Sequence, residues 1–355
     1  ALMSAVSNLA IIVYFLFLDD KFGIYGLAGA YLLGWLLQAL IQLPSLKKTG
    51  FVFRPSLSLR SEGMKKVFAL MGPVMVSTWV QPINLVINSR FGSRLYDGGG
   101  VAVLEYSTNL YLVIAGTFVL SVTNVIFPRL SRMAAGERQG ELEDTLRMSL
   151  HGTLFFVLPM VAGLMLLSRP MISFLYGGGQ FDGQSVALTS SALTWLSLGM
   201  VGYAVQNILS RAYFARQKGL APLAAGACSI GANLALCAAL VEPLGIVGLA
   251  LSSAASSTVY ALLLLIPMQR EHVVNRALML DLGKMLLSAL LMAAAVWAVR
   301  GGLGQYLPGG KLGELILMGA CVLAGALVYF IAAALLELEE AGLVRTVLGR
   351  KKKRG

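Results

Sequence analysis

Ten runs of apolar residues, each long enough or nearly long enough to cross a lipid bilayer, govern what this chain can become. They cover residues 2–18, 25–43, 67–87, 101–127, 150–167, 186–209, 220–240, 244–267, 285–299 and 312–336. A bilayer core of about 30 Å requires about 20 helical residues. In lipid, backbone N–H and C=O groups must be satisfied inside the protein, which restricts runs of this kind to helices. The ninth run is short as bounded, and Leu278–Leu280 extend it. Composition agrees: 57% of the 355 residues are hydrophobic and 13% are charged, against about 45–50% and about 25% in soluble domains. Mean hydropathy is +0.77. The expected fold is all-α, a polytopic membrane protein with ten transmembrane helices.

Charge assigns the sides. Lysine and arginine are retained on the cytoplasmic face of membrane proteins. Of the 28 basic residues, all but Lys21, Arg90, Arg94, Arg169, Arg300 and Lys311 fall in alternate connections that share one side with the basic carboxyl end. Both ends are therefore expected in the cytoplasm. The same placement accounts for the net charge of +11. The tail "GRKKKRG" directly follows a membrane run, so it reads as a retention signal and a contact for anionic membrane lipids, not for nucleic acid.

Enzyme chemistry has little footing. The sequence holds no HExxH, Walker, GxGxxG or GxSxG pattern. Cys228, Cys237 and Cys321 sit singly inside apolar runs and read as packed small hydrophobes. His151 and His272 are far apart. "GGGQFDG" (residues 177–183) has no preceding strand and no lysine, and reads as a flexible loop. No cofactor, no metal and no catalytic residue is expected.

Two distant stretches match. Residues 8–44 and 233–267 both begin Asn-Leu-Ala, both turn at Gly-Ile-x-Gly-Leu-Ala, and both close an aliphatic run with proline. The first holds runs one and two, the second runs seven and eight. An even offset of six helices gives both units the same orientation, a parallel repeat of the kind found in two-lobed transporters. The expected division is residues 1–46 as the last two helices of an amino-terminal lobe and 47–66 as a cytoplasmic linker. Residues 67–271 form a complete six-helix lobe, 272–344 two extra helices, and 345–355 a basic tail. On this reading the chain is a fragment lacking four preceding helices.

Two neighbouring runs carry polar stripes. On the third, Ser77, Gln81, Asn84 and Asn88 fall within roughly 60° on a helical wheel. On the fourth, Glu105, Asn109, Gly116 and Thr123 fall within roughly 40°. Polar groups inside a bilayer face the protein interior or a water-filled cavity. Two full-length stripes favour a substrate cavity, with hydrogen bonding between helices as the other reading. Glu105 lies close enough to the outer surface to be an interfacial carboxylate. Asn233 and Ser253, with Ser256 nearby, are candidates for holding a small cation or for close packing. Arg211 and Arg216, in "RAYFARQKGLAP", read either as retention charges or as an inner gate touching phosphate.

Several segments resemble a known family. "GIYGLAGAYLLGWLLQALIQLPSLKKTGF", "INLVIN", "NVIFPRLSRMAA", "RAYFARQ" and "GIVGLALSSAAS" resemble the MurJ/MviN lipid II flippases in order and spacing up to about Glu271. The two further helices also fit. The resemblance implies fourteen helices in two six-helix lobes plus a final pair, and membership of the multidrug/oligosaccharidyl-lipid/polysaccharide exporter superfamily. It implies lipid II, the undecaprenyl-diphosphate-linked peptidoglycan precursor, as cargo moved across the bacterial cytoplasmic membrane in cell-wall biogenesis. The ten runs would be the fifth to fourteenth helices, and the final pair a groove for the lipid tail. In the family the fourth run carries a pattern like Tyr-Ala-Asp/Asn-Arg-Leu, whose arginine points at the substrate diphosphate. Here the matching residues are Tyr106, Ser107, Thr108, Asn109 and Leu110, so Asn109 replaces the arginine. That departure leaves open an exporter of another lipid-linked saccharide or drug, or a non-transporting scaffold for cell-wall synthesis. Coupling to membrane potential, protons or a monovalent cation is likewise open.

Overall fold

The structure is a computed structural model that describes residues 2–48, 64, 79–136, 139–268, 276–304 and 310–338. It divides into two compact units, Ala1–Val67 and Phe68–Gly355. Every extended element is helical; among the described residues only one isolated bridge, Gly178 to Phe181, pairs as strand does. Among the described residues, seven helices are long and apolar enough to cross a membrane, or eight when one bent pair counts as a single span.

The first unit is a helical hairpin of α1 (Leu2–Phe17) and α2 (Asp19–Lys48). Gly23 breaks α2 near its start, with φ 49° and ψ −143°. Only glycine enters that region without steric penalty. The Tyr14 hydroxyl donates to the Gly23 carbonyl that the break exposes.

The second unit contains α3 (Val80–Gly92), α4 (Gly99–Tyr111), α5 (Thr117–Ala135) and α6 (Gln139–Tyr176). It continues with α7 (Gly183–Ser197), α8 (Gly199–Ala215), α9 (Leu220–Leu244) and α10 (Ile246–Met268). The last two helices are α11 (Arg276–Leu303) and α12 (Lys311–Leu335). α4 and α5 form one continuous span joined by a π turn at Leu112–Gly116. α7 and α8 are the bent pair, at 46°. The bend lets α8 approach α10 closely: a Cβ at Gly202 would lie 2.7 Å from the Thr258 backbone nitrogen. α6 runs through the middle of the unit. Its Phe155, Leu158 and Leu167 join a core with Ile208 and Leu209 of α8, and with Met285, Met292 and Tyr329 of α11 and α12.

The two hairpins α1–α2 and α9–α10 share a local geometry. Gly245, the counterpart of Gly23, has φ 56° and ψ −128°, nearly the same unusual conformation. Ser7 lies against Gly34 in the first hairpin, and the Ser229 and Ser256 hydroxyls meet at 2.8 Å in the second. Both pairs sit at equal distances in sequence from their turn glycine. The structural register is therefore free of gaps, whereas the Asn-Leu-Ala match sets Asn8 against Asn233 with a slip of about one helical turn. Helix packing follows the turn, and the shared tripeptide does not mark equivalent positions.

The loop of residues 177–183 is tighter than its composition suggests. Gly178 and Gly179 take positive φ, and Phe181 stacks with Tyr176 and Tyr106 at 5.9 and 5.4 Å. Asp182 then caps α7 by accepting from the Ser185 N–H at 2.8 Å. That bond holds its carboxyl below the usual carboxylate range. Its contribution is present above the unfolded-state pKa and is lost as pH falls through the lowered one.

Candidate functional site: a polar node and its cavity

α3 begins near Pro82, which fits the first helical turn because its missing N–H would be unpaired there anyway. Asn84 and Asn88 follow on one face, four residues apart. They meet Asn233 from α9, whose side chain is fully buried. The Asn233 amide donates to Asn84 Oδ1 and to Asn88 Oδ1, both at 3.1 Å. Asn88 Nδ2 donates to Ser253 Oγ of α10 at 2.9 Å. Asn84 Nδ2 reaches Ser256 Oγ at 3.5 Å, the limit of a hydrogen bond. Ser256 is in turn bonded to Ser229. The Cys237 thiol lies 3.7 Å from both Asn88 Oδ1 and Asn233 Oδ1. Three helices are thus joined by neutral amides and hydroxyls.

The stripe on the third run and the pair Asn233 and Ser253, separate features in the sequence, converge in this node. Its chemistry is that of a hydrogen-bond clasp. Two amide oxygens point at one NH₂ group, an arrangement that depends on which way the Asn233 amide is turned. Turned over, its oxygen would join those of Asn84 and Asn88, a donor set suited to a small monovalent cation. Among the described residues, no cluster of His, Cys, Asp or Glu has the makings of a metal site.

Beside the node is a cavity of about 100 Å³, lined in part by Gln81, Asn84, Thr108, Tyr203 and Ser257. It has room for a few waters. Two helix irregularities border it. Tyr111 and Leu112 line it at the π turn, and Gly199 lines it at the α7–α8 bend. The Tyr111 and Tyr203 rings pack edge to face at 6.0 Å. Thr108, Tyr203 and Ser257 are absent from the residues expected above. Tyr203 and Asn207, one turn apart, were a legible signal for part of this lining; the Asn207 amide donates to the Tyr203 carbonyl at 2.7 Å.

The expected stripe on the fourth run does not form one face. Glu105 and Asn109 are exposed on the surface of the second unit, whereas Gly116 and Thr123 are buried. The wheel assumed an uninterrupted α-helix. A π turn carries one extra residue, which shifts everything beyond it by roughly 100°. Thr123 turns inward and donates to the Leu120 carbonyl of its own helix at 3.1 Å. Gln81 is exposed at the cavity rim. Ser77 lies outside the described residues. Arg211 places its guanidinium 5.5 Å from the centre of the Phe127 ring on α5, a cation–π contact. Arg216 lines a separate cleft with Ser131 and Lys218. The two arginines thus meet different partners around the end of α5. His151, without an expected role, lies 3.2 Å from Asp281 of α11.

The family model described as "Lipid II flippase MurJ" matches residues 1–312. A probable lipid II flippase of Haemophilus influenzae is 31% identical over 301 residues, covering 82% of this chain and 58% of its own length. A second, from Vibrio cholerae, is 32% identical over 232 residues, covering 65% of this chain and 44% of its own. A solved structure of the lipid II flippase MurJ in an inward closed conformation superposes with a TM-score of 0.76 at 26% identity. It covers 94% of this chain and 66% of the solved one. The chain therefore spans less than two thirds of the length of these relatives.

Proposed function

From the premise that this chain belongs to the MurJ lipid II flippase family, we propose that it supplies the greater part of a lipid II flippase that works by alternating access. The match to the family across residues 1–312 is the observation that carries this reading. The protein is a multi-pass component of the bacterial cytoplasmic membrane, as its long apolar helices and its family require. Ten transmembrane helices form the end of one lobe, a complete second lobe and a final pair. Both ends of the chain lie in the cytoplasm. The shared turn of Gly23 and Gly245 supports the parallel repeat.

In this proposal the protein alternates between inward- and outward-open states while the polar headgroup of lipid II crosses. The lipid tail stays in the bilayer against the final helix pair. Gln81, Glu105 and Asn109, exposed on the second unit, line the path. Ser77 belongs to the same stripe by sequence alone. Asn84, Asn88 and Thr123 act behind that surface by fixing helices to one another. Arg211 and Arg216 form the basic inner rim. A monovalent cation held by Asn233 and Ser253, with the Asn233 amide turned, would bias the node between its two states. Supporting it would be a sodium-dependent rise in thermal midpoint that disappears in Asn233→Leu. A sodium effect that survives the substitution would place the ion elsewhere.

The test of the whole reading is translocation of fluorescent lipid II by the full-length protein in vesicles. The expected result is transfer between leaflets above the protein-free rate. Transfer of a different undecaprenyl-linked saccharide but not of lipid II would favour the second reading, a related exporter. Asn109 in the arginine position is the observation behind that alternative.

A further inference from the structure

α6 contains two prolines in its interior, Pro159 and Pro170. Proline has no N–H, so it leaves the carbonyl four residues earlier without its helical partner. The orphans are the Phe155 and Leu166 carbonyls. Each has a donor from outside the helix. The Tyr329 hydroxyl of α12 donates to the Phe155 carbonyl at 2.5 Å. The Arg300 guanidinium of α11 donates to the Leu166 carbonyl at 2.7 Å. Both gaps in α6 are therefore closed by α11 and α12.

The two bonds belong to a longer seam. His151 meets Asp281 of α11 at 3.2 Å, and Ser173 donates to Glu314 of α12 at 2.7 Å. On a wheel of 100° per residue, positions 151, 155, 166 and 173 of α6 fall within roughly 60° of one another. They extend along roughly 33 Å of helix at 1.5 Å per residue, the thickness of a bilayer core. Between the prolines, Gly163 faces Met292 of α11; a Cβ there would make an ordinary contact with its methyl at 3.7 Å.

We propose that Arg300 and Tyr329 are positioning residues that complete the broken backbone of α6, so that α6, α11 and α12 move as one rigid wall of the second unit. In a membrane, a helix can keep interior prolines only where neighbouring groups satisfy the freed carbonyls. Here that service comes from a helix pair outside the internal repeat. The pair is thus a structural part of the lobe in addition to any contact with lipid. The inference concerns how the wall is held and does not depend on which cargo crosses it.

The decisive experiment is a double-mutant cycle in the full-length protein. Tyr329→Phe removes the donor and is expected to lower the thermal midpoint in detergent by a few degrees. Pro159→Ala returns an N–H to α6, so the Phe155 carbonyl regains its own partner. In that background Tyr329→Phe is expected to have no further effect. Arg300→Gln and Pro170→Ala form the matching cycle. Equal losses with and without the proline would overturn the proposal. If the alanine variants do not accumulate, amide exchange across residues 158–163 provides the check. It is expected to quicken in Tyr329→Phe, and unchanged exchange there would also overturn the proposal. A short bis-thiol cross-linker between cysteines at Gly163 and Met292 tests the rigid wall itself. Lipid transfer should survive cross-linking; its loss on cross-linking and return on cleavage would show that α6 slides against α11.

Discussion

Two amide oxygens share one donor at Asn233. Asn233→Leu removes that donor from both oxygens, leaving Asn88 Oδ1 only the weak Cys237 thiol at 3.7 Å and Asn84 Oδ1 without its Asn233 donor. A hydrogen bond between membrane helices is worth about 0.6 kcal/mol on average, but an orphaned buried acceptor costs about 1–3 kcal/mol. The second effect decides the outcome, and the substitution should lower the thermal midpoint in detergent clearly. An unchanged midpoint would mean that water from the adjoining cavity satisfies Asn84 and Asn88. A different residue-scale prediction concerns Asn109. Glu105 and Asn109 lie one turn apart on the intact α-helical part of the span, before the π turn, and both are exposed. A cation at position 109 would be within reach of Glu105. Asn109→Arg alone should therefore change lipid II binding little in the full-length protein. Asn109→Arg with Glu105→Gln should tighten it. A hydrogen bond to a charged group is worth about 1.5–3 kcal/mol, and about 1.4 kcal/mol is tenfold in affinity. Equilibrium binding across the four proteins measures it, and no gain in the double variant would remove Asn109 from the diphosphate's path.

At the scale of elements, the π turn between α4 and α5 decides which residues of that span are exposed and which are buried. Cysteine at Asn109 should react with a small hydrophilic thiol reagent, and cysteine at Thr123 should not. The background needs Cys228, which is exposed, and the buried Cys237 and Cys321 replaced. Equal reaction at both positions would mean an unbroken α-helix with the stripe on one face. The π turn and the α7–α8 bend flank the same cavity, so departures from ideal geometry gather where the helices must leave space. Elsewhere the same irregularity is closed off: the prolines of α6 are matched by Tyr329 and Arg300, and the break at Gly23 by Tyr14. The π turn and the α7–α8 bend thus border the cavity, whereas the breaks at Pro159, Pro170 and Gly23 each have a donor from another residue.

For the whole molecule, sidedness is the prediction that charge makes alone. A cysteine at Gly99 should react with an impermeant reagent added outside intact cells, and one at Lys218 should be shielded; the reverse pattern would invert the proposed orientation. Length and composition determined the all-helical membrane class, because a bilayer admits few ways of satisfying a backbone. The glycine of each hairpin turn was legible too, since a positive φ leaves few other residues to choose from. Gln81, Asn84 and Asn88 of the third run share a face because nothing interrupts α3 within Val80–Gly92, while Ser77 of the same expected stripe lies outside the described residues. Three contacts became visible only in three dimensions. Asn233 reads as a packing residue or an ion ligand in the sequence, and only the fold brings Asn84 and Asn88 to it from a helix far away in sequence. Arg300 and Tyr329 read as a flanking charge and an apolar-run aromatic until their donors reach the carbonyls beneath Pro159 and Pro170. Thr123 reads as part of a wet stripe until one extra residue turns it inward. Periodicity reports which side of a single unbroken helix is apolar. It carries no information about which distant group completes a hydrogen bond, and a phase error of one residue is enough to turn a side chain away from the face on which the wheel placed it.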